Sequence, residues 1–471
     1  MTIDLVKARS ARRGAPSLLA LDTPVTVDGA STSTDKTGRA LVTVLLTAWL
    51  ASCAGNAARE SSLAAARQSN AEQMAADCEL GMVEACVALS AAALGTTPNS
   101  VSPQTAIGIL ESICFSGPLP APAHLISCGQ LASVFAEKQQ PDKTIAAMER
   151  ACVGGVSSAC TLAARMVAHY RNDHAAAASL AERGCNLGDG AGCDFAGLSY
   201  AVGRGVAPDA VKAVYLLERA CGLGVGNACS SAGRRRLVGI GVPEEPGKAA
   251  PLYFRGCELA DAASCNGAGI VLFQGRGMRR DQSRGVVFFR KACDQGDMDG
   301  CVNLADAQTT GDGVAQNTQA AKRLYMMACG EKSWAAGCRA LALNYLRVHL
   351  DPEEQRWAFG KVAELCTPED DDSCAAAGAL AMVAKVALPT GEVARVLAAA
   401  CEKVREPDAD TPMRAMMCTR LGQLHASGDG VPQDAIRALS LTQRGCDLGD
   451  PDACQVLQKL GMNRGAGAKN R

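Results

Sequence analysis

The 471-residue sequence predicts an all-α fold, an array of antiparallel helix-turn-helix repeats of about 36 residues, stapled by disulfides. Two cysteines eight positions apart recur along the chain, as in "GCNLGDGAGC" (Cys185, Cys193), "GCELADAASC" (Cys257, Cys265) and "GCDLGDPDAC" (Cys446, Cys454). Between successive pairs, apolar residues fall at helical spacing and a G-x-G turn returns the chain. Such an array has no single closed core, because each unit packs only on its neighbours.

The front of the chain stands apart. Ala40 to Leu50 read "ALVTVLLTAWL", a run too short to span a membrane, with Lys36 and Arg39 before it. A basic flank, a short apolar core and small residues behind it describe a secretory signal. "LASC" (Leu50 to Cys53) resembles the lipobox of bacterial lipoproteins, in which the cysteine receives a diacylglyceryl group and becomes the N-terminus after cleavage. The expectation is a signal segment over 1–52 with a long polar n-region, removed on maturation, lipidation at Cys53, and a tether over 53–70. Ala54 implies, by the same resemblance, an outer membrane lipoprotein of the bacterial cell envelope, facing the periplasm or the exterior. The alternative is an ordinary cleavage site and a secreted or periplasmic soluble protein. The array then occupies 71–460 with about eleven repeats, and 461–471 form a polar tail.

The first cysteines of the pairs are Cys78, Cys114, Cys152, Cys185, Cys221, Cys257, Cys293, Cys329, Cys366, Cys401 and Cys446, at steps of 33 to 38 residues until a last step of 45. Their seconds are Cys86, Cys128, Cys160, Cys193, Cys229, Cys265, Cys301, Cys338, Cys374, Cys418 and Cys454, which leaves Cys53 alone. Twenty-three cysteines imply metal sites or an oxidising compartment. No C-x-x-C occurs, and His124, His169, His174, His349 and His425 lack ligand spacing, so neither a metal nor another cofactor is expected. On one continuous helix, residues eight apart lie about 12 Å apart, beyond the roughly 7 Å Cα limit for a disulfide. A turn must therefore lie between them, with the first cysteine ending one helix and the second starting the next. Cys114 to Cys128 and Cys401 to Cys418 carry Pro-rich insertions in that turn, and Cys329 to Cys338 adds one residue.

The helices follow from the spacing. In "AVKAVYLLERACGLG", Val211, Val214, Leu217 and Cys221 recur every three or four positions and predict one buried face. Gly188, Gly224 and Gly449 suit the left-handed position that ends a helix, and Asp189 or Asp450 the cap that starts the next. The loops "GRGVAPD" (Gly203), "GIGVPEE" (Gly239), "GRGMRRD" (Gly275), "GDGVAQN" (Gly311) and "GDGVPQD" (Gly428) lack the lysine of a phosphate loop and read as structural turns.

Together the motif "G-x-G-V…D…A…ER-A/G-C-x-L-G-D-x-x-x-C" resembles the Sel-one-like repeat, a relative of the tetratricopeptide repeat, in its disulfide-rich secreted bacterial branch. The resemblance is strongest from Cys185 to Cys329 and from Gly428 to Cys454. It implies a right-handed α-solenoid and a role in protein-protein contacts.

Charge and composition narrow the function. Lys plus Arg (47) nearly cancel Asp plus Glu (48), and aromatics are only 4%, which argues against nucleic acid as a partner. The expected function is a non-catalytic interaction scaffold that offers its solenoid surface to a protein or peptide, with the membrane reached only through the lipid anchor. The binding face is expected on the first helix of each pair, around Tyr200, Arg234 to Arg236, Phe273, Asn303 and Tyr345. Some cysteine-rich members of the family carry a β-lactamase or penicillin-binding label, which makes a hydrolase the alternative. The S-x-x-K (Ser33 to Lys36) and K-T-G (Lys36 to Gly38) motifs of that chemistry share one lysine and precede the cleavage point, so no catalytic residue is assigned. A peptidoglycan-associated structural lipoprotein is the further alternative.

Overall fold

A computed structural model describes residues 71–96, 101–116, 122–330, 335–367, 370–402 and 411–460. The signal segment with Ser33, Lys36 and Gly38, the lipobox with Cys53, the tether and the tail lie outside the described residues. Within them every regular element is a helix. They fall into two compact units that meet in sequence between Gly267 and Ala268.

The first unit contains α1 (Ala71–Glu79), α2 (Val83–Ala93), α3 (Pro103–Ser116), α4 (Pro122–Glu137), α5 (Pro141–Val153), α6 (Ser157–Met166), α7 (His174–Asn186), α8 (Gly190–Val202), α9 (Ala210–Gly222), α10 (Gly226–Val238), α11 (Pro246–Glu258) and the start of α12 (Ala262–Gln274). The second holds the rest of α12 and then α13 (Gln282–Asp294), α14 (Met298–Thr310), α15 (Thr318–Gly330), α16 (Ala335–Val348), α17 (Pro352–Leu365), α18 (Asp371–Val383), α19 (Thr390–Glu402), α20 (Thr411–Ser427), α21 (Ala435–Asp447) and α22 (Pro451–Lys459). Each unit is an α-solenoid in which helices pack on their neighbours in sequence.

Disulfides staple the end of one helix to the start of the next. They join Cys78–Cys86, Cys114–Cys128, Cys152–Cys160, Cys185–Cys193, Cys221–Cys229 and Cys257–Cys265 in the first unit. Cys293–Cys301, Cys329–Cys338, Cys366–Cys374, Cys401–Cys418 and Cys446–Cys454 follow in the second. Cα separations run from 4.4 Å at Cys185–Cys193 to 5.0 Å at Cys401–Cys418, well inside the bridging limit. Gly188 (φ +93°), Gly224 (φ +94°) and Gly449 (φ +102°) reverse the chain inside these turns, and Asp189 and Asp450 accept from backbone N–H groups of the following helices.

The opposite ends of the helix pairs are closed by the G-x-G loops. Gly203 (φ +73°) ends α8, and Asp209 at the far end of that loop caps α9 by accepting from the Lys212 N–H at 2.9 Å. The second glycine lies directly on the start of the helix before the staple. A Cβ on Gly205 would stand 2.2 Å from the carbonyl carbon of His174, and one on Gly241 only 1.9 Å from the Ala210 Cβ. The loop backbone thus packs on the start of α7 at Gly205 and on the start of α9 at Gly241. Between α6 and α7 a π turn (Val167–Arg171) replaces this loop, ending on Asn172 at φ +52°.

The helix faces are Ala-rich and the core is thin. In α9, Ala213, Val214, Leu216, Leu217, Ala220 and Cys221 are buried, whereas Val211 is 65% exposed. The expected face is corrected at that residue: at 100° per residue, Val211 points about 135° away from the centre of the buried set.

Candidate interaction surface

The helices that carry the expected binding residues are α8, α10, α12, α14 and α16, each with the second cysteine of a staple in its first turn. Tyr200 is half-buried near the end of α8. Its hydroxyl accepts from the Lys212 Nζ of α9 at 2.6 Å, and the same ammonium sits 3.9 Å from its ring centroid. Lys212 also pairs with Glu182 of α7. Burial opposes charge on Glu182, but the hydrogen bonds from Lys212 and Tyr200 outweigh it and hold the carboxyl below its ordinary value. The matching contacts raise Lys212 against its own burial.

Arg236 is a second ion-pair centre. It donates to both oxygens of Glu218 (Nε at 2.7 Å) and to Glu245 at 2.5 Å, and the Glu218 contact raises it above the ordinary arginine value. Lys248 first and Arg236 after it hold Glu245 low. Arg235 is pushed down by burial and by the Arg234 charge beside it. Phe273 packs on Phe289 with ring centroids 5.6 Å apart, inside an apolar cluster with Ile270 and Val286. Asn303 is buried at 5% exposure. Tyr345 lies in α16, but its side chain is outside the described residues. Phe273 and Asn303 are therefore packing residues, and Tyr200 and Arg236 are held in ion-paired clusters.

One open depression of about 630 Å³ lies beside Tyr200, lined also by Val206, Pro208, Val211 and Lys212. Next to it on α9, Tyr215 is 61% exposed and lies one turn beyond Val211 on the same helical face. Exposed apolar side chains of this repeat thus sit on α9 as well as at the end of α8, where Val202 is 64% exposed; the sequence reading missed the α9 face, because Val211 and Tyr215 are out of phase with a buried set that only the packing reveals. The neighbouring Asp194 of α8 accepts from Asn227 of α10 at 3.1 Å. Burial raises its carboxyl, with Asn227 and the Arg165 charge opposing.

A second feature read only from structure is the arginine two residues before the first cysteine. Arg255 donates to the carbonyls of Cys221 (2.9 Å) and Gly222 (2.7 Å), the open C-terminal end of α9. Arg183 reaches Val153, Arg150 reaches Cys114, and Arg444 reaches Cys401 and Glu402 in the same way. Each cation satisfies orphan carbonyls at the negative end of a helix dipole one repeat earlier.

The Sel1 repeat family model matches four segments of this geometry, residues 191–225, 262–297, 299–331 and 415–450. The chain carries Sel1 repeats in these four segments. Each matched segment is one helix after a staple, its loop and the next helix, so the disulfides of this chain link one Sel1 repeat to the next. Among solved structures, the chain is similar to a protective antigen present in uropathogenic Escherichia coli strains displaying an SLR fold, with 17% identity, a TM-score of 0.54, and 86% of this chain and 100% of that one covered. It is also similar to a Sel1 repeat protein from Oxalobacter formigenes, at 21% identity, a TM-score of 0.47 and coverage of 66% and 89%. No curated protein matches the chain. The eleven disulfides point to an oxidising compartment.

Proposed function

We propose that this Sel1-repeat protein is a non-catalytic scaffold of the bacterial cell envelope, anchored through lipid on Cys53, that presents its solenoid surface to a protein or peptide partner. Sel1-repeat proteins generally serve as protein-interaction scaffolds. The observation that carries the reading is the patch around Tyr200, Pro208, Val211 and Tyr215: apolar side chains held in the open on a frame closed by a staple at one end and by a glycine contact at the other. Such preorganisation lowers the ordering cost of binding. Apolar side chains left exposed together suit a protein surface better than a soluble metabolite.

A photo-crosslinking side chain at Val211 or Tyr215, introduced in cells, tests the reading. One defined protein adduct supports it, and cell-wall material or no adduct at either position overturns it. The anchor is tested separately. Cys53→Ser is expected to move the protein from the membrane to the soluble fraction, and unchanged membrane fractionation counts against lipidation.

A further inference from the structure

Every disulfide among the described residues joins a cysteine to the next cysteine in the chain, and none crosses another. Most bonded partners are 8 residues apart, as in Cys221–Cys229, while the next competitor, as from Cys193 to Cys221, is 28 positions away. Loop closure falls as the 3/2 power of length, so the bonded partner is favoured over that competitor by about sixfold. The advantage shrinks to about twofold at Cys114–Cys128 and Cys401–Cys418, whose separations are 14 and 17.

Local closure matters because the folded chain hides its staples. Cys185, Cys193, Cys229 and Cys265 are fully buried, and the arginine of the following repeat lies over the carbonyls at the staple, as Arg255 does at Cys221. Successive staples are also packed closely: the Cys229 Cβ lies 2.8 Å from where a Cβ on Gly256, the residue before Cys257, would be, so stacking leaves no room to exchange partners. Pairing must therefore be right before neighbouring repeats stack.

We propose that the chain is a substrate of a dithiol oxidase, a protein whose own active-site disulfide accepts the electrons, and that it is oxidised pair by pair without a disulfide isomerase. One cysteine thiolate attacks the oxidase disulfide, forming a mixed disulfide and releasing one oxidase thiolate. The neighbouring cysteine thiolate then attacks the chain-side sulfur, forming the staple and releasing the second oxidase thiolate. Two electrons pass to the oxidase, and the two thiol protons end on its reduced dithiol. The proposal rests on consecutive pairing and is independent of what the surface binds.

The test uses the chain from residue 53 onward as the Cys53→Ser variant, reduced, unfolded and diluted into buffer with a catalytic thioredoxin-fold oxidase in its disulfide form, with or without a disulfide isomerase. Free thiols are alkylated at intervals, and non-reduced peptide maps are read. The consecutive map is expected in both arms, with yields within about twofold, and mispaired species concentrated at Cys114, Cys128, Cys401 and Cys418. A yield raised about tenfold by the isomerase, or mispairing spread evenly along the chain, overturns the proposal. A second variant, Cys401→Ser with Cys418→Ser, is expected to lower the mispaired fraction, and no decrease overturns the closure argument. A map of the protein isolated from cells that already shows skipped cysteines removes the premise itself, which separates that failure from the others.

Discussion

Ala260 occupies the position that glycine holds in six other staple turns, at Gly81, Gly155, Gly188, Gly224, Gly296 and Gly449. Its φ of +61° puts an L side chain in the left-handed region, where Gly188, Gly224 and Gly449 sit without strain and with open space at their Cβ positions. Ala260→Gly is expected to raise stability by roughly 0.5–1 kcal/mol, read as a higher urea midpoint at unchanged slope. Asp194 makes a pH-dependent contribution of the opposite kind. Its carboxyl is raised in the folded chain by burial, so the folded state holds the proton more tightly than the unfolded one. Stability from this group is greatest in acid and declines as pH rises from the unfolded value of about 3.9 through the higher folded one. Asp194→Asn should melt higher than the wild type near neutrality, with the difference vanishing in acid; a gap independent of pH would contradict the assignment.

At the scale of the element, the helix pairs that meet a G-x-G loop are clamped twice. The staple ring of about nine residues stabilises by about 2.5 kcal/mol in the chain-entropy treatment. The glycine clamp has a sharper signature. Gly241→Ala adds a Cβ 1.9 Å from the Ala210 Cβ at φ +73°, and is expected to cost about 2 kcal/mol or more, seen in denaturant unfolding. Removing the arginine cap with Arg255→Ala leaves the Cys221 and Gly222 carbonyls to solvent and should cost roughly 1–2 kcal/mol, of which Arg255→Lys recovers only part because an ammonium lacks the rigid two-nitrogen fork that meets the two oxygens from Nε and Nη2. The cysteine spacing and the glycine loops made these elements legible in sequence, because a period of about 36 and a forced turn leave few alternatives. Val211 was misplaced because a three-and-four spacing fits several faces of one helix, and only neighbouring helices decide which is buried. The arginine caps were illegible for a related reason: their acceptors lie about 30 to 40 residues earlier and are backbone groups with no side-chain signal.

For the whole molecule, the repeat class could be read from sequence because each unit contacts its neighbours and little else. The candidate surface was only partly legible. Tyr200 stands at the depression, but Arg236, Phe273 and Asn303 serve ion pairing and packing, and the exposed Val211 and Tyr215 belong to the adjoining helix. The staples tie successive helices together within each unit, and the most direct measurement is a peptide map of protein isolated from cells, alkylated before any reduction. The expected result is that all 22 cysteines from Cys78 to Cys454 escape alkylation and appear as eleven consecutive pairs. Substantial alkylation at these positions, or a link such as Cys86 to Cys114, would contradict it.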